Sequence, residues 1–278
     1  MEPAERQVPF FMKVYIIIFL TCISFLAKAQ ELFVFTEPAS NMAAKSVGLR
    51  LNNFLMHQVN SSSYSSYQLT PEVMVGVSKK IMLHGDLFFS NMHSNFGFKG
   101  GSVYGKYRFF SNDDIQKHFR MAAFGRVSSV NMPVRQEDIN LYGMNSGYEG
   151  GLTVTQLLHK VALSASGSFV KAMSNGQYKF PGGNDKAVNY TLSFGKLMLP
   201  KDYTNYKQTN LNLMLEMLGQ TNVVSAGYYI DIAPSFQLIV NSQSRLDFGY
   251  RHQLSTNMFR FAANSFLIRL EHNLYNVF

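Results

Sequence analysis

Over the last third of the chain, apolar and polar residues alternate. Val224, Ala226, Tyr228, Ile230 and Ile232 share one parity; Ser225, Gly227, Tyr229 and Asp231 share the other. Past Asn241-Ser242-Gln243-Ser244 the pattern resumes, with Leu246, Phe248, Tyr250 and Leu254 set against Arg245, Asp247, Gly249, Arg251 and Gln253. The final stretch sets Phe266, Ile268, Leu270 and Leu274 against Arg269, Glu271 and Asn273. Successive side chains of a strand point to opposite faces, so each segment predicts a strand apolar on one side and charged on the other. The same reading predicts about 12 strands in all, near 45–56, 68–78, 81–90, 100–110, 117–129, 146–157, 161–172, 187–198, 207–218, 223–239, 245–255 and 262–277. Each is long enough to cross a bilayer as a tilted strand, which takes about 9–11 residues.

The connections add independent information. Lys79-Lys80, Leu158-His159-Lys160 and Asn241 to Ser244 read as short turns, and Ser111 to Asp114 and Pro200-Lys201-Asp202 as slightly longer ones. Between them fall longer polar or glycine-rich stretches at Asn60–Ser63, Asn91–Gly100, Asn131–Asn145 and Met173–Asp185. Short and long connections mostly alternate, as in a barrel with short turns at one rim and longer loops at the other. The expected fold is therefore all-β, an antiparallel up-and-down transmembrane β-barrel of about 12 strands, within a range of 10–14. A soluble β-sandwich is the structural rival, but it accounts for neither the loop alternation nor the terminal aromatic. Tyr104, Tyr107, Phe109, Phe110 and Tyr275 lie near strand ends, where they suit an aromatic girdle at the barrel rims or serve equally as ordinary strand residues.

An export signal precedes the strands. Lys13 opens it, Val14 to Leu26 is its apolar core, and Ala27-Lys28-Ala29 is an A-x-A cleavage site. The expected division is residues 1–29 as upstream residues and cleaved signal peptide, with Met12 as the better initiator, and residues 30–278 as the barrel. The single cysteine, Cys22, lies inside the signal, and Leu20-Thr21 before it fits a lipobox poorly. Beyond Ala29 no disulfide or thiolate metal site is possible. Residues 1–29 hold three of the 25 basic and two of the 17 acidic residues, which leaves a charge of +7 on the rest. These charges are scattered through strand-like segments rather than clustered, which argues against nucleic acid as a partner.

With the export signal, the alternation and the terminal Phe278 in view, the chain resembles outer-membrane β-barrel proteins of Gram-negative cells. The likeness is strongest to the porin- or transporter-like barrels common in Bacteroidetes. The stretch FLIRLEHNLYNVF resembles the assembly signal that such barrels present to the insertion machinery. Leu274, Leu270, Ile268 and Phe266 match its alternate apolar positions back from Phe278, while Asn276 and His272 depart from them. The resemblance implies outer-membrane localisation, with outer-membrane lipid and the barrel assembly machinery as partners. The stretch TEPASNMAAKSVGLRL also looks family-like, but no chemistry attaches to it.

Catalysis is not expected. Some small barrels are lipid hydrolases that set a Ser nucleophile beside a His base. Here His93 and Ser94 are adjacent, so a strand would send them to opposite faces. Ser174-Asn175-Gly176 resembles part of the outer-membrane phospholipase motif, but Ala172 stands where that family carries its His. Met56-His57, His84 and Met92-His93 could line a path for a soft metal ion, but plain space-filling by methionine accounts for these residues better. No cofactor or metal is expected.

Charges of the polar parity are the better functional feature. Lys106, Arg108, Arg120, Arg126, Glu216, Asp231, Arg245, Asp247, Arg251, Arg269 and Glu271 are expected to face the lumen, because charge facing lipid is costly. They suit a passive or weakly selective channel for small solutes, with the Arg and Lys surplus mildly favouring anions. The alternative is a closed structural or partner-binding barrel, whose charges interlock as salt bridges. A barrel near 12 strands lies between filled small barrels and open porins, so size alone does not decide.

Overall fold

The computed structural model describes residues 33–58, 65–92, 95–114, 117–173, 184–200 and 208–278. The expected signal peptide, its cleavage after Ala29 and Cys22 lie outside these residues, as do His93, Ser94 and Ser174. Twelve strands follow one another: β1 (Ser46–Gln58), β2 (Ser65–Gly76), β3 (Ile81–Ser90), β4 (Gly97–Asp114), β5 (Lys117–Val130), β6 (Gly147–Leu158), β7 (Val161–Ala172), β8 (Lys186–Leu199), β9 (Asn210–Asn222), β10 (Tyr228–Val240), β11 (Ser244–Thr256) and β12 (Ala262–Leu274). Each pairs antiparallel with its sequence neighbours, and β1 pairs with β12 to close the barrel.

The alternation explains this closure. In β9, Asn210, Asn212, Met214, Glu216, Leu218, Gln220 and Asn222 are buried, while Leu213, Leu215 and Met217 between them are exposed. The exposed parity carries Leu213, Leu215 and Met217 on β9, and Phe266, Ile268 and Leu270 on β12. Polar side chains thus fill the centre and apolar ones coat the outside, which inverts a soluble domain.

Three details correct the sequence reading. Val224 and Ala226 belong to the turn before β10, not to the strand; Ala226 takes φ 54°, and β10 starts at Tyr228. Apolar alternation runs on through this turn, so parity alone does not show the reversal. Tyr104 is buried rather than placed at a rim, because it shares the inward parity of Ser102 and Lys106. Tyr107, Phe109 and Phe110 do face outward; a bulge between Arg108 and Phe110 lets two consecutive aromatics share that face. Finally, β12 ends at Leu274, and the Val277 N–H instead donates to the Lys45 carbonyl, tying the chain end to the entry of β1.

The reversal between β10 and β11 has a clear local cause. Asn241 and Ser242 both take positive φ, 54° and 55°, and the Gln243 N–H donates to the Val240 carbonyl. A turn with two left-handed central residues matches strand twist, and Asn tolerates that region.

Candidate functional site: the lumen

The centre of the barrel is occupied from both ends. Residues 33–45 run inward from the turn rim. Phe33, Val34, Ala39, Ser40 and Asn41 in this segment are buried. Their main anchor is Glu216 on β9. Its Oε1 accepts the N–H groups of Val34 and Phe35, both at 2.9 Å, and its Oε2 accepts the Thr36 N–H at 2.9 Å and the Thr36 hydroxyl at 2.7 Å. Lys106 answers from the opposite wall, donating from Nζ to the carbonyls of Pro38 at 2.7 Å and Ser40 at 2.8 Å. The Ala39 N–H donates to Thr155, and Arg120 reaches the Ser40 hydroxyl. Gly249 supplies the notch for Phe35: a Cβ there would lie 2.5 Å from that ring.

Glu37, in the middle of this segment, meets Arg50 at 3.2 Å and Lys106 at 3.6 Å. Burial alone would raise its carboxyl, but Lys106 and then Arg50 outweigh burial and hold it at about 2.

The other end is filled by the connection between β5 and β6, residues 131–146. Its length and polarity predict a loop at the outer rim. Instead Met132, Gln136, Asp138, Ile139, Leu141, Met144 and Asn145 are buried. The reason is its composition: Ile139 and Leu141 cover an apolar wall of Val170, Ala172 and Ala187, while Met132 and Met144 pack with Met56, Phe88 and Met92. Gln220 clamps it, accepting the Ile139 N–H and donating to the Ile139 carbonyl, both at 2.8 Å. The Tyr142 hydroxyl accepts from Asn52 at 2.7 Å and donates to Glu72 at 3.3 Å. Burial, then the charges of Glu72 and Asp86, push this phenol well up, so it stays a donor. Burial likewise raises the Asp138 carboxyl, against the pull of Arg260.

Between plug and loop remains a cavity of about 320 Å³. Its walls include Thr36, Glu37, Glu72, Arg126, Tyr142 and Arg251. The charges around it form three groups. Arg50 binds Glu72 at 3.1 Å and Glu271 at 2.8 Å; Arg245 also meets Glu271 at 2.8 Å and Asp247 at 3.3 Å, and Arg269 meets Asp247 at 3.5 Å. Asp231 receives Arg251 at 2.5 Å and Arg260 at 2.7 Å. Arg126 pairs with Asp86 at 2.6 Å and lies over the rings of Tyr104 and Tyr142.

The structure therefore sorts the sequence candidates. Arg245, Asp247, Arg269 and Glu271 join one network, while Asp231 and Arg251 form a second. Arg126 belongs to the third, and Lys106 and Glu216 hold the plug. Arg120 spans plug and rim, bonding Asp113 as well as Ser40. Arg108 lies outside this set: its guanidinium donates to the Lys79 carbonyl in the β2–β3 turn, at the rim. Glu37, Arg50, Glu72, Asp86 and Arg260 join these networks without being among the sequence candidates. Arg50, Glu72 and Asp86 sit at inward positions of β1 to β3 and were open to the same parity argument. Glu37 and Arg260 lie outside the strands, where parity has no meaning. His57, considered for a metal path, is exposed while its neighbour Met56 is buried, so a strand splits that pair.

No protein-family model matches the chain, and no curated protein matches it. Solved structures do. A KdgM porin aligns with TM-score 0.50 and 9% identity, over 82% of this chain and 99% of its own. An outer membrane channel from Pseudomonas putida F1 aligns with TM-score 0.59 and 11% identity, over 87% and 100%. The fold is that of outer-membrane barrels. At such identity the likeness shows the fold alone.

Proposed function

We propose that the chain is an outer-membrane barrel that passes small solutes through a narrow lumen, which residues 33–45 and the 131–146 loop occlude at rest. The observation that supports it best is the cavity of about 320 Å³, walled by charged side chains and capped by two segments outside the strand ladder. The apolar exterior and the likeness to barrels named as porin and channel support the membrane setting. The finer likeness to Bacteroidetes barrels rests on sequence pattern alone. The proposal includes no catalytic step and no nucleic-acid partner. Membrane lipid and the assembly machinery would meet the exterior and the C-terminal strand.

Planar-bilayer recording tests it. The full chain should conduct rarely, and Glu216→Ala, which strips four hydrogen bonds from the plug, should raise open probability at least about tenfold, since about 1.4 kcal/mol is enough for that shift. Once open, Arg126→Glu or Arg251→Glu should move the reversal potential toward cation preference, because both side chains line the cavity. The second reading, a closed structural or partner-binding barrel, draws on the interlocked salt bridges. Silence from both the native chain and Glu216→Ala would favour it.

A further inference from the structure

We infer that a soft monovalent cation of the Cu(I) type binds inside the barrel wall near the turn rim, at Met42, Met74, Met82 and His84. The site does not depend on whether the lumen conducts. Met42 comes from the plug, Met74 from β2, and Met82 and His84 from β3. All four are buried. Register places Met74 directly across from His84, and Gly76 across from Met82. The three thioethers pack in one cluster with Tyr104. The Met42 N–H lies 3.4 Å from the Met82 sulfur, and the methyl ends of Met42 and Met74 crowd the same face of Gly48.

Thioether clustering alone is ordinary core packing. His84 separates this cluster from that reading. Its Nδ1 lies 2.7 Å from Glu72 Oε1, and its Nε2 is buried with no hydrogen-bond partner among the described residues. A carboxylate that accepts a hydrogen bond from Nδ1–H fixes the tautomer and presents the Nε2 lone pair, as behind metal-bound histidines. Buried polar atoms are rarely left without a partner. Neutral sulfur and imidazole ligands select soft ions such as Cu(I) or Ag(I), and Glu72 supplies a nearby negative charge. A cleft of about 30 Å³, lined by Met42 and Met74, reaches the exposed Gln243 at the turn rim and gives a path of entry.

The test uses the full chain refolded in detergent, with Ag(I) as a redox-inert probe in competition with a chelator. One Ag(I) per chain is expected. Met74→Leu with Met82→Leu, and separately His84→Gln, should weaken binding at least about tenfold. Met132→Leu with Met144→Leu, in a methionine cluster on the loop side, should leave it unchanged. Heat-modifiable migration checks that each variant still closes its barrel. X-ray absorption of Cu(I), kept reduced with ascorbate, should show sulfur with one nitrogen neighbour. No binding to the native chain, equal binding to the Met74/Met82 variant, or a shell of oxygen only would overturn the site.

Discussion

The two segments that fill the lumen are held by different chemistry. Residues 33–45 are tied by ions: a carboxylate on β9 takes main-chain donors, and an ammonium on β4 takes main-chain carbonyls. The 131–146 loop is tied mainly by neutral groups, the Gln220 amide, the Tyr142 hydroxyl and apolar contacts with Val170 and Ala187. Charge-assisted bonds are stronger but respond to protonation, whereas amide bonds do not. The plug therefore leans on charged anchors and the loop mainly on neutral ones.

The largest effect should come from Arg50, which links Glu37 of the plug to Glu72 and Glu271 of the wall. Arg50→Met leaves Glu72 and Glu271 buried beside an apolar side chain and leaves Glu37 with Lys106 alone. Breaking a buried ion pair from one side costs about 3–5 kcal/mol, so thermal denaturation in detergent should shift clearly downward. An unchanged midpoint would remove Arg50 as the link. Gln220→Leu should come next. It leaves the Ile139 N–H and carbonyl without their partner, at about 1–3 kcal/mol, and should free the loop to proteolysis while the plug stays protected. Equal exposure of both segments would erase the contrast between them. Acid should give the smallest effect and the sharpest one. The Glu37 carboxyl ordinarily titrates near 4.5 and is held at about 2 in the folded chain, so its contribution is complete above 4.5 and is lost as pH falls through 2. The stability difference between the native chain and Glu37→Gln should stay flat above pH 4.5 and shrink below it. A difference that grows toward low pH would reverse the assignment.

The strands were legible because lipid and lumen impose opposite demands on alternate residues. The third strand was read as 81–90 and is found at Ile81–Ser90; the seventh was read as 161–172 and is found at Val161–Ala172. Glu216 and Lys106 were also visible as inward charges. What they bind was not, because their partners are backbone N–H and C=O groups of residues 34–40, and a main-chain donor has no side-chain signature. The same blindness left TEPASNMAAKSVGLRL without a role, although Glu37, Ser40 and Met42 within it each bond to the wall. The 131–146 loop was misplaced for a related reason. Its Asn and Gly content reads as solvent-exposed, yet Asn140 and Asn145 spend their polar groups on the loop's own backbone and leave Ile139 and Leu141 free to turn inward.

By itself the sequence determined the ring, its strand number and which face of each strand turns inward, since a period of two residues suffices to assign faces. Only the tertiary structure decided that the ring is filled rather than open. Occlusion depends on which distant segments meet inside the ring, Thr36 with Glu216 and Ile139 with Gln220, and contacts across 180 and 81 positions of chain leave no local pattern to read.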